Sequence, residues 1–440
     1  MATTKNITMK QFNGTDYDTL YPKTVAAQID DVYSKNETYS KSQLYTQSQL
    51  YTKEQVLSDA TKTLYGLGSS AVPDDVFFES VEANTGYIYI TTKTSSGVVA
   101  GIPIMIDGVY AGKTGINGKA RISVPFGAHT IKVVRPLDIA SVTPNTFNIN
   151  VTDVNAIVLE STCVLSTATE ATISTSGNYG FSDRVEDFDV CAVGGGGGGG
   201  AINDADTSSS ASGISAAGGG GGYVTNKLNI LAKLFNLFSA VIGAGGIGGS
   251  TEGTSSGKKV SAGQEGGSSS ITSIITNENI TANGGKGGEA SKNDKADGGD
   301  GGSGGGGAVA SSFGRGSPVG GSGGQNGADG QTVSQIDGTG IGGTGQGTTT
   351  KPFADTTRTA LSPGGGGAAV SYKGASLSNG TAQTGGSPGI TGFNVSTLSA
   401  TKGTVIGSGG GGAATKGKLA TTHGADGVDG AILLRWRFKS

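Results

Sequence analysis

The chain has 440 residues, with 31 basic and 34 acidic side chains and a formal net charge of −3. Basic and acidic side chains are nearly equal in number, and nothing in the sequence indicates a clustered basic face. We therefore exclude nucleic acid and anionic membranes as partners. Glycine dominates: of 82 in all, 13 precede Gly194 and 69 lie from there to the end. With only 10 prolines and without strict glycine at every third position, the chain is not collagen-like.

No export or membrane signal is recognisable. The N-terminus, MATTKNITMKQFNG, lacks the apolar core of a secretion signal. The most apolar stretch, residues 228–245, is interrupted by polar residues and falls short of the roughly 18 apolar residues that a membrane span needs. We therefore expect no membrane insertion, and a protein of this kind that acts outside the cell would be released by lysis.

Residues 1–83 form a polar, glycine-poor segment that carries a short internal repeat. YSKNET, YSKSQL, YTQSQL and YTKEQV follow one another over residues 33–56, so a tyrosine recurs every six residues. Neither a helix of 3.6 residues per turn nor a heptad coiled coil keeps such a repeat on one face. The period favours short turns or strand-like units wrapped with identical chains, with a polar helix as the alternative. Residues 66–75, GLGSSAVPDD, then indicate a linker or turn.

Residues 84–161 have the pattern of a compact β-sandwich. The strand-like segments are 87–94, 102–106, 120–124, 129–134, 147–151 and 156–161. In the second of them, IPIMI, the three isoleucines alternate onto one face. Asx-Gly pairs at 107–108 and 117–118 predict tight turns between strands. Six or seven short strands separated by polar turns are typical of a small sandwich.

Residues 162–440 are dominated by glycine runs. Runs of four or more lie at 194–200, 218–222, 304–307, 364–367 and 409–412. Apolar residues abut these runs, and the chain closes with GAILLRWRFKS, a predicted strand that holds the only tryptophan, Trp436. A flexible linker has no reason to alternate with apolar strands, so we expect an ordered glycine-rich domain, with a disordered linker as the alternative.

Ordered glycine runs imply a specific backbone arrangement. In the polyproline-II conformation three residues make one turn, and the backbone has no internal hydrogen bonds. Without side chains, neighbouring helices approach closely enough to pair N–H with C=O groups sideways, as buried backbone requires. Because each ordered glycine loses about 1–2 kcal/mol of backbone entropy, only many such bonds hold the arrangement together. We therefore predict packed polyglycine-II helices with flanking strands.

The order of these motifs resembles the glycine-rich domain of bacteriophage tail-fibre and tail-tip receptor-binding proteins. The matching segments are DVCAVGGGGGGG (189–200), AVIGAGGIGG (240–249), ANGGKGG (282–288), PGGGGAA (363–369) and GADGVDGAILLRW (424–436). The opening QFNGTDYDTLYPKT (11–24) is similar to tail proteins of phages of Gram-positive hosts, and the tyrosine repeat resembles phage-fibre repeats. Residues 84–161 look like a PEGA-type or Ig-like fibre module. The long polar insertions match no known loop set, so no receptor is implied.

The resemblance implies a mainly β, multi-domain phage tail protein. Its segment 1–83 would dock on other tail or baseplate proteins of the virion, and the module 84–161 would act as a spacer. Loops of 162–440 would bind a glycan or protein of the host cell surface. The resemblance also implies a homotrimer that is made in the host cytoplasm and acts extracellularly. The alternative is a purely structural tail component without receptor binding.

Large side chains between the glycine runs are the candidate receptor contacts. Loops on a rigid scaffold suit binding, and aromatic and hydrogen-bonding side chains recognise glycans or wall polymers. The candidates are Phe313, Arg315, Phe353, Arg358, Tyr372 and Phe393. The alternative for each is that it packs against the glycine-rich domain or caps it.

Three motifs suggest ligand sites that their surroundings do not support. GAGGIG (243–248) fits the dinucleotide-binding fingerprint, but no helical pattern follows it. GAATKGKL (412–419) approaches a phosphate-binding loop, yet it has leucine where a hydroxyl is needed. Asp294, Asp297 and Asp300 have a spacing that suits Ca²⁺, although a solvated loop is favoured. We therefore expect no cofactor and no metal.

Side chains that carry catalysis are sparse. His129 and His423 lie in different segments, which gives little support to a Ser-His-Asp triad, and His129 is expected to be structural. The glycine-rich segment has few large side chains to wall a cleft around two catalytic carboxylates. Cys163 and Cys191 form no metal pattern, so we expect small buried side chains, with one disulfide as the alternative. We conclude that the chain is not an enzyme.

Overall fold

The computed structural model divides the chain into two compact units, residues 1–83 and 84–440. The residues that it describes are 9–12, 17–20, 85–152, 156–205, 213–252, 257–291, 295–310, 330, 350–370, 377–418 and 420–440. In the first unit, β1 (Met9–Phe12) and β2 (Tyr17–Leu20) pair as an antiparallel hairpin. The tyrosine repeat at 33–56 lies outside the described residues, and its structure stays a prediction.

The second unit begins with two four-stranded sheets. Their strands are β3 (Thr85–Lys93), β4 (Pro103–Ile106), β5 (Val109–Lys113), β6 (Lys119–Pro125), β7 (Gly127–Val133), β8 (Ile139–Thr143), β9 (Thr146–Val151) and β10 (Ala156–Leu165). One sheet has the order β6-β3-β10-β8 and the other the order β5-β4-β7-β9. Buried isoleucines and valines from both sheets share one core, so the pair forms a sandwich. The six predicted strands are confirmed, and β5 and β8 are additional.

Strand alternation decides which side chains enter the core of the sandwich. Ile104 of β4 is fully buried there, as the IPIMI pattern predicts. The opposite face of β4 is covered as well: Met105 is 7% exposed because it packs against Leu237, which follows much later in the chain. Asp107 and Gly108, with φ of 50° and 83°, make the predicted turn into β5.

The rest of the second unit is also mainly β, as predicted. Its first strands are β11 (Glu170–Ile173), β12 (Gly177–Gly180), β13 (Val185–Val193), β14 (Ala201–Asp204), β15 (Ile214–Ala216), β16 (Val224–Leu231), β17 (Leu237–Val241), β18 (Ser250–Thr251), β19 (Lys258–Ser261), β20 (Ser269–Ser273) and β21 (Asn279–Ala282). They are followed by β22 (Ala290–Ser291), β23 (Lys295–Ala296), β24 (Ala308–Val309), β25 (Ala368–Val370), β26 (Leu377–Asn379), β27 (Ile390–Phe393), β28 (Thr397–Ser399), β29 (Ala413–Lys416), β30 (Thr421–His423) and β31 (Ala431–Phe438). Short 3-10 helices lie at Ala232–Leu234 and Pro352–Ala354.

Two sheets of this region pack around an aromatic core. One has the order β11-β31-β13-β16 and the other the order β12-β17-β20-β21, and we call them the proximal sheets. Phe181 lies at the centre of the core, with its ring centroid 4.9 Å from that of Phe188 and 5.7 Å from that of Trp436. The predicted closing strand is confirmed, since β31 lies between β11 and β13 and Trp436 is 2% exposed.

The glycine run 194–200 leaves the proximal sheets and is surrounded by other segments. Its N–H groups donate in rotation to three antiparallel neighbours, so that Gly194, Gly197 and Gly200 all bond to the same one. From Gly195 on, its carbonyls accept in rotation from three parallel neighbours, and all these N···O distances are 2.8–3.0 Å. The antiparallel neighbours are 217–223, 264–267 and 425–428, and the parallel ones are 246–249, 285–288 and 410–413. Every third residue therefore faces the same neighbour.

Only glycine fits in this run. A Cβ on Gly197 would lie 2.0 Å from the carbonyl oxygen of Lys286, and one on Gly199 would lie 2.1 Å from that of Gly411. These clashes are with backbone, so no choice of rotamer relieves them. All seven residues of the run are buried, and the linker alternative is wrong for it. We call the packed runs the glycine lattice: 194–200, 217–223, 243–249, 263–267, 283–289, 299–307, 363–367, 407–412 and 424–430.

A polar contact fixes the sandwich against the proximal sheets. The buried Asp138 carboxylate accepts hydrogen bonds from the N–H of Ser182 at 2.9 Å and from its hydroxyl at 2.5 Å. Asn236 donates its amide to the carbonyl of Gly101 at 2.8 Å. Because the Asp138 carboxylate and the Asn236 side-chain N–H are buried and hydrogen-bonded across this contact, losing either partner would leave an unsatisfied polar group, and the two parts of the unit hold a defined orientation.

Residues with reactive side chains have packing roles. Cys163 and Cys191 are buried and unpaired, which confirms the prediction, and burial raises the pKa of their thiols to about 11 and about 12. His129 lies in β7, with Nδ1 2.7 Å from Asp107 Oδ2 and Nε2 2.9 Å from the carbonyl oxygen of Pro125, as expected of a structural histidine. Among the described residues, no helix has the length and apolar character to cross a membrane.

Candidate functional site

The end of the glycine lattice opposite the sandwich carries a cap of short sheets. β13 leads into the lattice from the side of the sandwich, and the run 194–200 emerges at the other side as β14. There the sheets β19-β14-β29-β27 and β22-β15-β25-β26 pack on each other. Their core is a small cluster of Ile202, Ile214, Val370 and alanines. The cap thus closes the lattice with an apolar core of its own.

Several polar connecting sequences join strands at this end. Polar connections that begin or end at a strand of the cap include 205–213, 252–257, 292–294, 371–376, 394–396 and 417–420. They are rich in serine, threonine and lysine, as in ADTSSSASG (205–213) and SYKGAS (371–376). We call the outer surface of the cap, where these connections begin and end, the distal face. At the proximal end, β16–β17 and β20–β21 are joined by the short connections 232–236 and 274–278.

A buried ion pair lies beneath the distal face. Lys416 Nζ is 2.9 Å from Asp204 Oδ2, and neither side chain has exposed surface. Asp204 ends β14 and Lys416 ends β29, and the two strands are parallel and in register. Beside the pair, the hydroxyls of Thr415 and Thr422 are 2.9 Å apart and join β29 to β30. The bases of the connections 205–213 and 417–420 are therefore held together.

Phe393 is one of the predicted contacts, and it lies at the distal face. It ends β27 and is half-buried. The next residue, Asn394, has a φ of 58° and donates its N–H to the carbonyl of Lys416 at 2.9 Å. Gly417, with a φ of 95°, passes close to the ring, and a Cβ there would lie 3.0 Å from Phe393 Cε2. The ring is thus packed along the connection 417–420 and keeps part of its surface open.

Phe353 and Arg358 lie at the opposite end, against the proximal sheets. Phe353 is 4% exposed and packs with Cys191. Two guanidinium groups lie over its ring, with Arg358 Cζ 5.0 Å and Arg435 Cζ 4.8 Å from the centroid. Arg358 also pairs with Glu170 at 2.5 Å. Both residues hold the segment around 350–361 against the sheet, which is the packing alternative stated above.

The remaining predicted residues are only partly described. Phe313, Arg315 and Tyr372 lie outside the described residues, and receptor contact by them stays a prediction. Of the three aspartates with calcium spacing, Asp294 also lies outside. The Asp300 carboxylate is 3.3 Å from Lys286 Nζ.

The two nucleotide-site motifs belong to the lattice and its cap. GAGGIG (243–248) is a lattice run and is followed by β18 rather than by a helix. The N–H groups of Gly245 and Gly248 donate to the carboxylates of Asp429 and Asp426 at 2.8 and 2.7 Å. These carboxylates take the place of a neighbouring run at the edge of the lattice. GAATKGKL (412–419) contains β29, and its first lysine is in the buried ion pair.

The fold defines a glycine-rich β protein in which packed glycine runs support a polar face. Residues 170–437 match the family described as a glycine-rich domain, which is more than half of the chain, so the chain belongs to that family. The match begins with β11 and ends within β31, so it spans the proximal sheets, the lattice and the cap. None of the curated proteins matches the chain.

The buried ion pair was not predicted, and neither were the hydrogen bonds to the carboxylates of Asp426 and Asp429. The sequence nevertheless carries a signal for these carboxylates. At the edge of the lattice, side chains recur at every third position, as in ANGGKGGE (282–289) and GADGVDG (424–430). The residues at these positions, such as Lys286, Asp426 and Asp429, are exposed. A run with three residues per turn turns the same side outward each time. A repeat of one larger residue followed by two glycines therefore identifies a run that has one side exposed to solvent.

Proposed function

We propose that this chain is a bacteriophage tail-fibre or tail-tip protein that attaches to the host cell through the distal face of its glycine lattice. In this proposal the lattice runs are polyglycine-II helices, and the sandwich is a PEGA-type or Ig-like spacer. Residues 1–83 dock on other tail or baseplate proteins. The protein is made in the host cytoplasm, belongs to the virion tail, and acts by binding and not by catalysis.

The observation that supports this proposal best is that polar connections begin and end at strands on one end of a rigid module. Rotating hydrogen bonds fix each glycine run to several neighbours, and a three-residue period of this kind is what polyglycine-II packing requires. The buried pair of Lys416 and Asp204 braces the bases of two connections. Binding residues commonly lie on loops that a rigid scaffold positions.

Attachment by such a face gains strength from repetition. Single contacts between a polar loop and a surface glycan or protein are weak, but several copies bound to one cell act at high effective concentration. We therefore propose a homotrimer. Light scattering of the full chain tests this directly, and the expected mass is three times the 43.4 kDa of one chain. A monomer at micromolar concentration would contradict the trimer while leaving the distal face to be tested separately.

The experiment that tests attachment measures adsorption of the labelled full chain to a panel of candidate host strains, with virions as competitors. In one variant the connection 371–376 is replaced by a Gly-Ser segment of equal length. The matched control is Ile275→Ser, in the exposed connection between β20 and β21 at the proximal end. We expect saturable binding that virions compete for, a loss of at least about tenfold in the distal variant, and no change in the control.

Two results would overturn the proposal. If the folded wild-type chain binds none of the strains that the phage infects, the protein is a purely structural tail component. If the distal variant and the Ile275→Ser control lose binding equally, the distal face is not the contact surface. Circular dichroism of each variant establishes that it is folded before adsorption is compared.

A further inference from the structure

The outer face of the sheet β6-β3-β10-β8 presents side chains that belong to no core. Tyr89 of β3 lies opposite Arg121 of β6 and Val158 of β10 in the strand register. Tyr89 is 38% exposed and Val158 is 73% exposed, whereas the alternate residues of β3 point into the sandwich. Tyr87 lies on the same outer face, two residues before Tyr89. The face therefore combines an open aromatic ring with a neighbouring cation.

Arg121 is held in a fixed orientation but is not neutralised. Its Cζ lies 3.9 Å from the centroid of the Tyr87 ring and 6.0 Å from that of Tyr89, so the guanidinium stacks on Tyr87 and leaves Tyr89 open. Among the described residues, its guanidinium N–H groups have no hydrogen-bond or ion-pair partner. Stacking restricts the long side chain in advance, so less entropy is lost when a ligand binds.

The charges around Arg121 favour an anionic ligand. Lys119 precedes it on the outer side of β6 and has no carboxylate partner among the described residues. Among the described residues of this face, the acidic side chain is Glu160 of β10, and it is paired with Lys93 at 2.8 Å. Two cations without partners thus lie side by side on one strand. An arginine with free N–H groups recognises carboxylate or phosphate through paired hydrogen bonds.

We propose that this face binds an anionic glycan, with a sugar ring stacked on Tyr89 and a carboxylate or phosphate of the glycan held by Arg121. An extended polysaccharide fits because the face is an open sheet surface and not a cavity. Thr91, Ser123 and Thr162 add hydroxyl groups on the same side of the sheet. The exposed valines of β10, Val158 and Val164, are separated on this face by Glu160 and Thr162, so the surface lacks the contiguous apolar core of a protein interface.

This inference goes beyond the proposed function and does not rest on it. The face belongs to the sandwich, and the distal face lies at the far end of the glycine lattice. A glycan held by the sandwich would add a second, weaker contact along the same molecule. The adsorption experiment with the 371–376 variant and the glycan experiment below can therefore fail independently.

The test measures binding of the full chain to immobilised polysaccharides by biolayer interferometry. The probes are polygalacturonate, which carries carboxylates, polyglycerol phosphate, which carries phosphates, and neutral amylose. We expect saturable binding to one or both anionic polymers and none to amylose. Arg121→Gln and Tyr89→Ala should each raise the Kd about tenfold, because each removes one of the two recognition elements. Tyr89→Phe, which keeps the ring, should bind like the wild type.

The matched control is Lys132→Gln, which removes one positive charge from an exposed residue on the outer side of the other sheet. Its Kd should stay within about twofold of the wild-type value. The proposal is overturned if neither anionic polymer binds, if amylose binds equally well, or if Lys132→Gln weakens binding as much as Arg121→Gln. Arg121→Lys separates the two contributions of arginine: it keeps the charge, loses the paired hydrogen bonds, and should have an intermediate Kd.

Discussion

Lys416 and Asp204 form an ion pair, 2.9 Å apart, in which neither side chain has exposed surface. The pair joins the last residues of two parallel strands, β14 and β29, whose sequences are more than two hundred residues apart. Burial of two charges is expensive, and the opposite charge at 2.9 Å offsets part of that cost. The pair therefore links the ends of these two strands within the cap.

Removal of one partner of this pair should be strongly destabilising. Lys416→Ala removes the ammonium group that pairs with the buried Asp204 carboxylate, and we expect the free energy of unfolding to fall by about 3–5 kcal/mol. Lys402→Ala is the matched control, because Lys402 is exposed, and it should change stability by less than about 0.5 kcal/mol. Urea titration followed by tryptophan fluorescence measures both. A double variant, Asp204→Leu with Lys416→Met, should cost less than the sum of the single changes.

Replacement of a central lattice glycine should abolish the lattice. In Gly197→Ala the new Cβ would lie 2.0 Å from the backbone oxygen of Lys286, so neighbouring runs must separate. We expect no folded second unit, or a loss of more than about 4 kcal/mol in the free energy of unfolding. Gly97→Ala is the control, since nothing lies within 4 Å of its Cβ position, and it should shift stability by at most about 1 kcal/mol. Wild-type stability of Gly197→Ala would contradict the close packing described here.

Asp189 should make stability depend on pH in the acidic range. Burial opposes its ionisation, but hydrogen bonds from Arg437, the N–H of Asn229 and Arg435 outweigh burial and lower its pKa to about 2. An unfolded aspartate has a pKa of about 3.9, so the stabilisation is complete above about pH 4 and is lost as the pH falls through about 2. We expect Asp189→Asn to cost about 2 kcal/mol near neutral pH and progressively less towards pH 2.

Urea titrations of the wild type and of Asp189→Asn over this pH range measure the difference. Glu186→Gln is the matched control, because Glu186 lies in the same strand, β13, with its side chain exposed. Its effect should be small and nearly constant with pH. A constant difference between the wild type and Asp189→Asn down to pH 2 would show that the arginine contacts do not lower this pKa.

The carboxylates of Asp426 and Asp429 at the lattice edge should each protect one glycine amide, three residues apart, from hydrogen exchange. Asp426 accepts the N–H of Gly248, and the next amide, Gly249, donates instead to the lattice oxygen of Gly199. In Asp426→Ala we expect hydrogen exchange at Gly248 to accelerate roughly tenfold, because its acceptor is gone, while exchange at Gly249 stays slow. Gly245, which donates to Asp429, is the internal control. Equal acceleration at all three amides would indicate that the whole run opens and that the Asp426 carboxylate does not act on Gly248 alone.

The strands and the closing tryptophan segment were predictable from the sequence because their signals are local. IPIMI alternates with period two, and the chain places Ile104 in the core as that alternation requires. GAILLRWRFKS is the most strand-like segment near the end of the chain, and it forms β31. Met105 marks the limit of such reasoning: it is buried because Leu237 packs on it from a distant part of the chain.

Candidate contacts were less predictable than strands. Phe353 and Phe393 look alike in the sequence, since each is an aromatic residue between glycine runs. In the structure Phe353 is buried under two arginines at the proximal end, and Phe393 lies at the distal face. The direction in which the neighbouring glycine run crosses the lattice determines whether each aromatic residue lies at the proximal end or at the distal face. Glycine runs have no side chains to encode direction, so no local pattern distinguishes them.

By itself, the sequence determined that the protein is mainly β, that a sandwich precedes the glycine-rich region, and that long glycine runs must pack without side chains. These features follow from short-range periodicity and from the one property of glycine that no other residue shares, the absence of Cβ. Only the tertiary structure decided which runs are neighbours and which connections reach the distal face, and that Lys416 meets Asp204. Those outcomes depend on backbone hydrogen bonds between distant segments, and since every glycine offers the same N–H and C=O, the pairing is set by the register of the whole lattice.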